Sequence, residues 1–534
     1  MKKRLLSLLL TASSVLMLFG TTGCSKTVNT SSIVGSSQLT TSAEDDSAES
    51  AIESDQMLSD YSQIGSGQVS SKDSQPSVSA EKSGSTVIPA DDPNNQIKVE
   101  FVKQNTDVIR QDSDGNRRLV YIKITNTKAI ALNNANLYYK DKDKAVTREL
   151  GLVFINTKVS YDTFWIDESQ QGYISATIKN GNEVVWKGSI NIQPSSKNYV
   201  IPKSKCYTIN DMKPMMLRGV NYFHKYECWG KDWLKDDFTK EWNADFKEMS
   251  TKLNINSVRA FALLKDELLY LGKVPTSETI IKIGKFLTCA DKYQIKVLMC
   301  LESEPKVSTN QGENLRFVRG VIEPFMNDGR VIMWDLINEP DDDHHNDQPF
   351  QGMTQGGALD TMLKTLYPKL RKEFAPNQMT CIGTGYRLEK LQALGLSTQV
   401  GSWHGYIQSD LPVEKVYQGY VDAANKFWNG KRDPWMIQEW GYPSQTEGEN
   451  YDDQYQLKVY QSYIPAILKL YEEGYNLIGS YAWCAYEYPN ASIDVDNKTL
   501  GLIKADGTVK PAGRYLAETY ADLRKKLPAP WEKK

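Results

Sequence analysis

The chain has 534 residues, 40% of them apolar and 24% charged, with 63 Lys and Arg against 66 Asp and Glu. That composition supports buried cores in more than one folded unit. The charge is uneven: residues 1–24 sum to +3, residues 25–95 to −8 and the rest to +2, so the folded part lacks the basic face that nucleic acid requires. A near-neutral body with 12 Trp and 29 Tyr suits an uncharged partner with flat apolar faces.

In chain order, Lys2-Lys3-Arg4 and the apolar run Leu5 to Phe19 read as a secretory signal. The run is shorter than the ~20 apolar residues that span a membrane. It ends in Thr21-Thr22-Gly23-Cys24, which resembles a bacterial lipobox, with Thr21 where Leu is usual. The resemblance implies that residues 1–24 are a lipoprotein-type signal ending at Cys24, which is diacylated and becomes the mature N-terminus, leaving an extracellular, cell-surface lipoprotein held to the membrane by its lipid. Residues 25–95 contain 24 Ser or Thr and one aromatic, Tyr61. Such a stretch cannot offset its ordering entropy by burial, so it is expected to be a disordered, acidic tether. The other cysteines (206, 228, 289, 300, 381 and 484) show no C-x-x-C spacing, which argues against zinc or redox motifs and for free buried thiols.

Residues 96–201 alternate with a period of two. Ile97–Phe101 and Leu119–Ile124 alternate, and two further runs flank Asn180-Gly181, a hairpin signal. Strands without helices between them suggest an all-β sandwich, Ig-like or carbohydrate-binding-like. Trp165 and Trp186 are its candidate sugar platforms, set against the commoner fate of a sandwich Trp in the core.

Residues 202–534 change pattern. Eight short apolar runs begin near Met216, Ile255, Ile295, Val331, Gln378, Gln399, Trp435 and Leu477. Helical stretches follow most of them, including Glu241–Leu253, Glu278–Tyr293, Leu359–Phe374, Asp452–Glu473 and Pro511–Lys526. Eight β–α units predict an α/β fold, a (β/α)8 TIM barrel behind the sandwich and tether. No G-x-G-x-x-G follows a strand, so a dinucleotide fold has no support.

In such a barrel the chemistry sits where the strands end. Those ends carry His224, Arg259, Asn338-Glu339-Pro340, His404-Gly405-Tyr406, Glu439 and Trp483. Glu339 and Glu439 close the fourth and seventh strands, which face each other across the barrel. Retaining glycoside hydrolysis needs two such carboxyls ~5–5.5 Å apart, one acid and one nucleophile, with unequal surroundings. Arg259 and Tyr406 are expected to stabilise an ionised Glu439. Asn338 is expected to bond a sugar 2-hydroxyl, and Trp483 to form the floor under the reacting ring. His224 is a further candidate for substrate contact, weighed evenly against a core histidine. Trp229, Trp233 and Trp440 are candidates for outer subsites or for packing under loops.

The order of Asn256-Ser257-Val258-Arg259, Trp334–Pro340, His404-Gly405-Tyr406, Gln438-Glu439-Trp440-Gly441 and Tyr481-Ala482-Trp483 resembles glycoside hydrolase family 5, of the cellulase and mannanase type. The resemblance covers residues 213–526. It implies that Glu339 is the acid/base and Glu439 the nucleophile, with His404 and Tyr406 around the reaction centre. Leu301-Glu302-Ser303-Glu304 lacks the His that many members carry after the third strand, which leans toward the mannanase-like branches. The expected protein is a monomeric, retaining endo-β-glycosidase of a β-1,4-linked neutral polysaccharide, mannan or glucomannan ahead of glucan. It needs no cofactor or metal. The competing readings are a glycan-binding lipoprotein without turnover and a transglycosylase using the same residues. Asp341-Asp342-Asp343-His344-His345 reads as a solvated loop rather than a metal site, and Asp494–Asn497 as a turn without the pattern of a calcium loop.

Overall fold

The computed structural model describes residues 92–151, 158–226, 233, 237–261, 270–271, 274–301, 311–341, 358–385, 398–408, 411–446, 452–489 and 495–533. Cys24, the signal, nearly all of the tether, Cys228, Trp229, Glu302–Glu304, Asp342–His345 and Asp494 lie outside them.

Among the described residues nine strands build the sandwich: β1 (Lys98–Phe101), β2 (Asp107–Asp112), β3 (Gly115–Thr125), β4 (Ala135–Asp141), β5 (Lys144–Glu149), β6 (Val159–Asp167), β7 (Gly172–Asn180), β8 (Glu183–Ile192) and β9 (Asn198–Ile201). One sheet runs β1-β3-β2-β9 with β6 along β3, and the other runs β5-β4-β7-β8. The long β3 organises the first sheet. Its period of two sends Val120, Ile122 and Ile124 into the sandwich core and Leu119 and Tyr121 to the opposite face, where they join the barrel core. A strand buried on both faces needs the near-continuous apolar run that Leu119–Ile122 supplies.

Neither tryptophan offers an open platform, and both meet the commoner fate of a sandwich Trp. Trp186 is fully buried in the sandwich core. Trp165 is buried toward the barrel, with the Arg110 guanidinium 4.3 Å over its ring and its indole N–H donating to Glu323 at 3.1 Å. Glu323 also accepts a bidentate pair from Arg148 (2.6 and 2.8 Å), and Arg319 donates to Asp162 at 2.6 Å. Buried ion pairs of this kind fix orientation more than they add stability.

The barrel strands are β10 (Leu217–Tyr222), β11 (Ser257–Phe261), β14 (Lys296–Cys300), β15 (Val331–Asn338), β16 (Met379–Gly383), β17 (Gly401–His404), β18 (Trp435–Trp440) and β19 (Leu477–Ala482); a small hairpin, β12 (Tyr270–Leu271) and β13 (Val274–Pro275), lies between the second and third. All eight pair in parallel in the order β16-β15-β14-β11-β10-β19-β18-β17. Val400 N–H donating to Thr380 O (3.2 Å) and His404 N–H to Thr384 O (2.8 Å) join the two ends of that order. Inward side chains such as Leu217, Leu298, Met333, Met379, Cys381, Met436 and Tyr481 fill the interior.

The main helices are α1 (Thr239–Leu253), α2 (Ser277–Asp291), α3 (Gln311–Ile322), α4 (Ala358–Lys369), α5 (Val413–Trp428), α6 (Asp453–Glu472), α7 (Val495–Thr499) and α8 (Pro511–Lys526). Local chemistry sets their ends. Asp452 accepts from the backbone N–H groups of Gln454 and Tyr455, Thr276 caps α2, and Pro511 opens α8. Asn254 and Asn429 end α1 and α5 in the left-handed conformation. The expected helix through Phe374 gives way to a wider π turn at Leu370–Phe374, and the described part of the expected turn, Val495–Asn497, opens α7. No helix of the described residues is long and apolar enough to cross a membrane. Among the described residues Cys289, Cys300, Cys381 and Cys484 are buried and Cys206 partly so, and no disulfide joins any two of the five.

Candidate active site

A regular parallel strand would turn neighbouring residues to opposite faces. Register shifts change that at two strand ends. Between Asp335 and Asn338 the partner β16 advances only from Cys381 to Gly383. Between Ile437 and Trp440 the partner β19 advances only from Ser480 to Ala482. The extra residue in each strand re-aims the side chains beyond it, as bulges do near active sites. Asp335 and Asn338, three apart, therefore both reach Arg259, and the adjacent Gln438 and Glu439 both serve the same cluster.

Arg259 is the hub. It is fully buried, and its guanidinium donates to Asn338 (2.7 Å), Asp335 (3.0 and 3.3 Å), Asn221 (3.1 Å) and Glu439. Burial works against its charge, yet Cys300, Glu439 and Asp335 around it hold the guanidinium above its ordinary value. Glu439 spends its other oxygen on the Tyr406 hydroxyl, which donates at 3.1 Å. Burial pushes the Glu439 carboxyl above the usual carboxylate range and Glu339 adds to this, while His404, Arg259 and Tyr406 pull it back.

Glu339 has φ of +44°, a left-handed backbone that non-glycine residues seldom adopt and that gathers at functional sites. Its N–H donates to Gly383 O at 2.8 Å, which pins the turn. Its carboxyl oxygen lies 2.6 Å from His404 Nδ1, and that same nitrogen is 3.5 Å from Glu439. One carboxylate oxygen of each glutamate and a His404 ring nitrogen all lie within 4.8 Å of one another. Burial lowers the imidazole pKa, but Glu439 and Glu339 outweigh it and raise His404 above its ordinary value.

Three such donors invite a test as a metal site. Two ligands of one zinc ion, at bonds of ~2.0–2.2 Å, stand ~3.3 Å apart. The 2.6 Å between His404 and Glu339 is the spacing of a shared proton, and the Arg259 cation already occupies Glu439. The donor set fits proton traffic better than a cation.

The structure thus brings together Arg259, Asn338, Glu339, His404, Tyr406 and Glu439 from the sequence reading. Trp483 adjoins them through Phe261: its ring meets Phe261 edge-on at 6.1 Å, and the Arg259 guanidinium sits 4.4 Å over Phe261. His224 is placed elsewhere, toward α1. It is buried 3.6 Å from Asp245 and edge-on to Phe238 at 4.5 Å, as a core histidine would be. Trp233 packs on Trp242 and Phe286, and Trp440 on Tyr460 and Tyr463, so both are core rather than open subsites. Sequence reasoning gave no role to Asp335, Gln438 or Asn221. The usable signal was a charged or amide residue inside an otherwise apolar buried strand, which must find partners.

A closed (β/α)8 barrel whose fourth and seventh strands deliver a close pair of glutamates, held by arginine, histidine and tyrosine, is the class that fold and site define. No protein-family model matches the sequence, nor does any curated protein. Among solved structures the chain is similar to a GH5_18 protein from Streptomyces cattleya in complex with GlcNAc, at 18% identity over 60% of this chain and 82% of that one, with a TM-score of 0.50. It also aligns with the exo-β-1,4-mannosidase Op5Man5 from Opitutaceae bacterium strain TAV5 (15% identity, 61% of this chain and 64% of that one, TM-score 0.49). At 18% identity the first of these likenesses is one of fold.

Proposed function

We propose that the protein is a retaining endo-β-glycosidase of family 5 type, acting on a β-1,4-linked neutral polysaccharide, with mannan or glucomannan ahead of glucan. The observation that carries this reading is the Glu339–Glu439 pair, with oxygens within 4.8 Å and unequal partners. Retaining enzymes keep their carboxyls ~5–5.5 Å apart, and inverting ones ~6.5–9.5 Å to admit a water between them.

The roles follow from the partners. Glu439 receives N–H and O–H donors on both oxygens, which bonds its ionised form, so it is the nucleophile. Glu339 shares a proton with His404, so it is the acid. Glu339 protonates the glycosidic oxygen as Glu439 attacks the anomeric carbon. The aglycone leaves as an alcohol and a glycosyl ester remains. Glu339, now a base, takes a proton from water, which displaces Glu439 and restores both groups. Asn338, oriented by Arg259, is available to the 2-hydroxyl, and Trp483 to the sugar face. In the same reading the near-neutral body fits a neutral polymer, and the Lys2–Cys24 segment fits an exported, monomeric lipoprotein anchored at Cys24.

The test is a substrate panel of mannan, glucomannan, mixed-linkage glucan, cellulose and xylan with Glu339→Gln and Glu439→Gln as controls. Both variants should stay folded and lose about four orders of magnitude in kcat. Azide should partly restore Glu439→Ala or Glu439→Gly by replacing the nucleophile. Full activity in either Gln variant removes the assignment.

A further inference from the structure

Gln438 is fully buried directly before Glu439, with polar groups on both sides of its side-chain amide. Its Nε2 lies 2.8 Å from Asp335 Oδ2 and 3.7 Å from Cys381 Sγ. The Asp335 oxygen also accepts from Arg259 Nη2 and Nε, and Asp335 Oδ1 accepts from Gly383 N–H at 2.7 Å. All four of these groups donate to Asp335, as does the Cys300 thiol. A reversed amide would set two acceptor oxygens 2.8 Å apart, so Asp335 fixes which way Gln438 points.

The amide oxygen must then face the other side. There it meets Ser402 Oγ at 2.6 Å and His404 Nε2 at 3.1 Å. An amide oxygen only accepts, so His404 Nε2 carries a hydrogen. We infer that Gln438, aimed by Asp335, is a positioning residue that sets the His404 tautomer, keeping the proton on Nε2 and turning Nδ1 toward Glu339 as its proton partner. This deepens the glycosidase reading above and rests on it.

The consequence concerns one proton. With Nε2 committed, the 2.6 Å gap from Nδ1 to Glu339 holds a single hydrogen. Either neutral His404 accepts it from the Glu339 acid, or imidazolium donates it to the Glu339 carboxylate. Both states are hydrogen-bonded, so the proton has a resting place before Glu339 gives it to the leaving group and again after Glu339 takes one from water. The groups facing the ring are Glu339 directly after β15, Glu439 and Gln438 from β18, and Ser402 beside it on β17. Arg259 from β11 acts from behind the two carboxyls, with Tyr406 on Glu439 and Asp335 behind the amide. The backbone accommodates this: a Cβ at Gly383 would stand 2.8 Å from Gln438 Oε1 and 2.9 Å from Asp335 Oδ2, so only glycine fits there.

The experiment uses the full chain with 15N-labelled histidine rings. There are only four histidines, and a His404→Asn variant identifies the signal. The expected wild-type result is a protonated Nε2 at every pH of the titration, whether or not Nδ1 is also protonated. In Gln438→Met, which keeps the bulk and removes the acceptor, the tautomers should mix and the His404 midpoint should fall by about one unit. A kinetic arm separates positioning from general damage. Gln438→Met should lose ~10–100-fold in kcat/KM on a glycoside with a poor leaving group, and under ~3-fold on a dinitrophenyl glycoside that needs no acid. A wild-type ring bare at Nε2 overturns the inference, and so does an equal loss on both substrates. The wild-type spectrum decides even if the variant does not fold. It also decides if no glycoside is turned over, in which case the functional reading fails and the tautomer is still measured.

Discussion

Two arginines on neighbouring strands, both fully buried, sit at opposite ends of the barrel and do opposite things. At the floor, Arg218 donates to both oxygens of Glu532 at 2.5 Å, and Arg524 approaches the same carboxylate at 3.3 Å. Glu532 also accepts from Ala529 N–H and the Asn256 amide. Beside it Trp531 stacks edge-on against Tyr207, so the C-terminal residues plug the barrel. At the mouth, Arg259 serves Asp335 and Glu439, with Glu339 next to them. One end has cations in excess around a saturated carboxylate, which leaves nothing to react. The other has carboxyls in excess around one arginine and one histidine, which forces a proton to be shared. Saturated charge locks a structure, while unsaturated charge with a mobile proton can do chemistry.

Substitutions should break this comparison in different observables. Arg259→Lys replaces a planar fork with a point charge and should lower kcat/KM by ~10²–10³-fold, read by steady-state kinetics on the best substrate of the panel. Glu532→Ala takes the carboxylate from the buried Arg218, whose remaining described acceptor is Leu527 O at 3.2 Å, and should cost ~3–5 kcal/mol in denaturant unfolding. Its kcat should stay within ~2-fold of wild type below the unfolding transition. A floor variant that lost activity while remaining folded would erase the distinction.

The pH profile of kcat/KM sharpens it further. Glu439 must be ionised to attack, and burial raises its pKa, so activity should fall with acid at an apparent pKa above the ordinary 4.5. The proton shared by Glu339 and His404 must be present, and the carboxylates raise His404, so the alkaline fall should lie above 6.5. The smallest effect is expected for Tyr406→Phe. It removes one donor from ionised Glu439 and should move the acid limb upward by roughly half a unit to one unit, with the alkaline limb unchanged.

Much of this was legible in the sequence because buried strands and amphipathic helices announce their period. The eight strand positions and the bounds of Pro511–Lys526 match the chain's own punctuation. The glutamates were legible because strand ends are where barrels keep their chemistry. Asp335 and Gln438 were not, because a one-residue register shift carries no period of its own. His224 stood at a strand end like the others, but the partner that claims it, Asp245, lies on α1, and only tertiary packing reveals that. Trp186 lies in the core between the two sheets, as a sandwich Trp commonly does, whereas the burial of Trp165 depends on the cover over the first sheet's outer face, which nothing local to the sandwich announces.

The central claim is a covalent turn at Glu439 assisted by Glu339, and the stereochemistry of the first product reads it directly. Proton NMR of a β-linked oligosaccharide during the first minutes of hydrolysis should show the new reducing end appearing as the β anomer, followed by slow mutarotation. Appearance of the α anomer first would mean a single inverting displacement, and Glu439 could then not be the nucleophile nor Glu339 its acid/base.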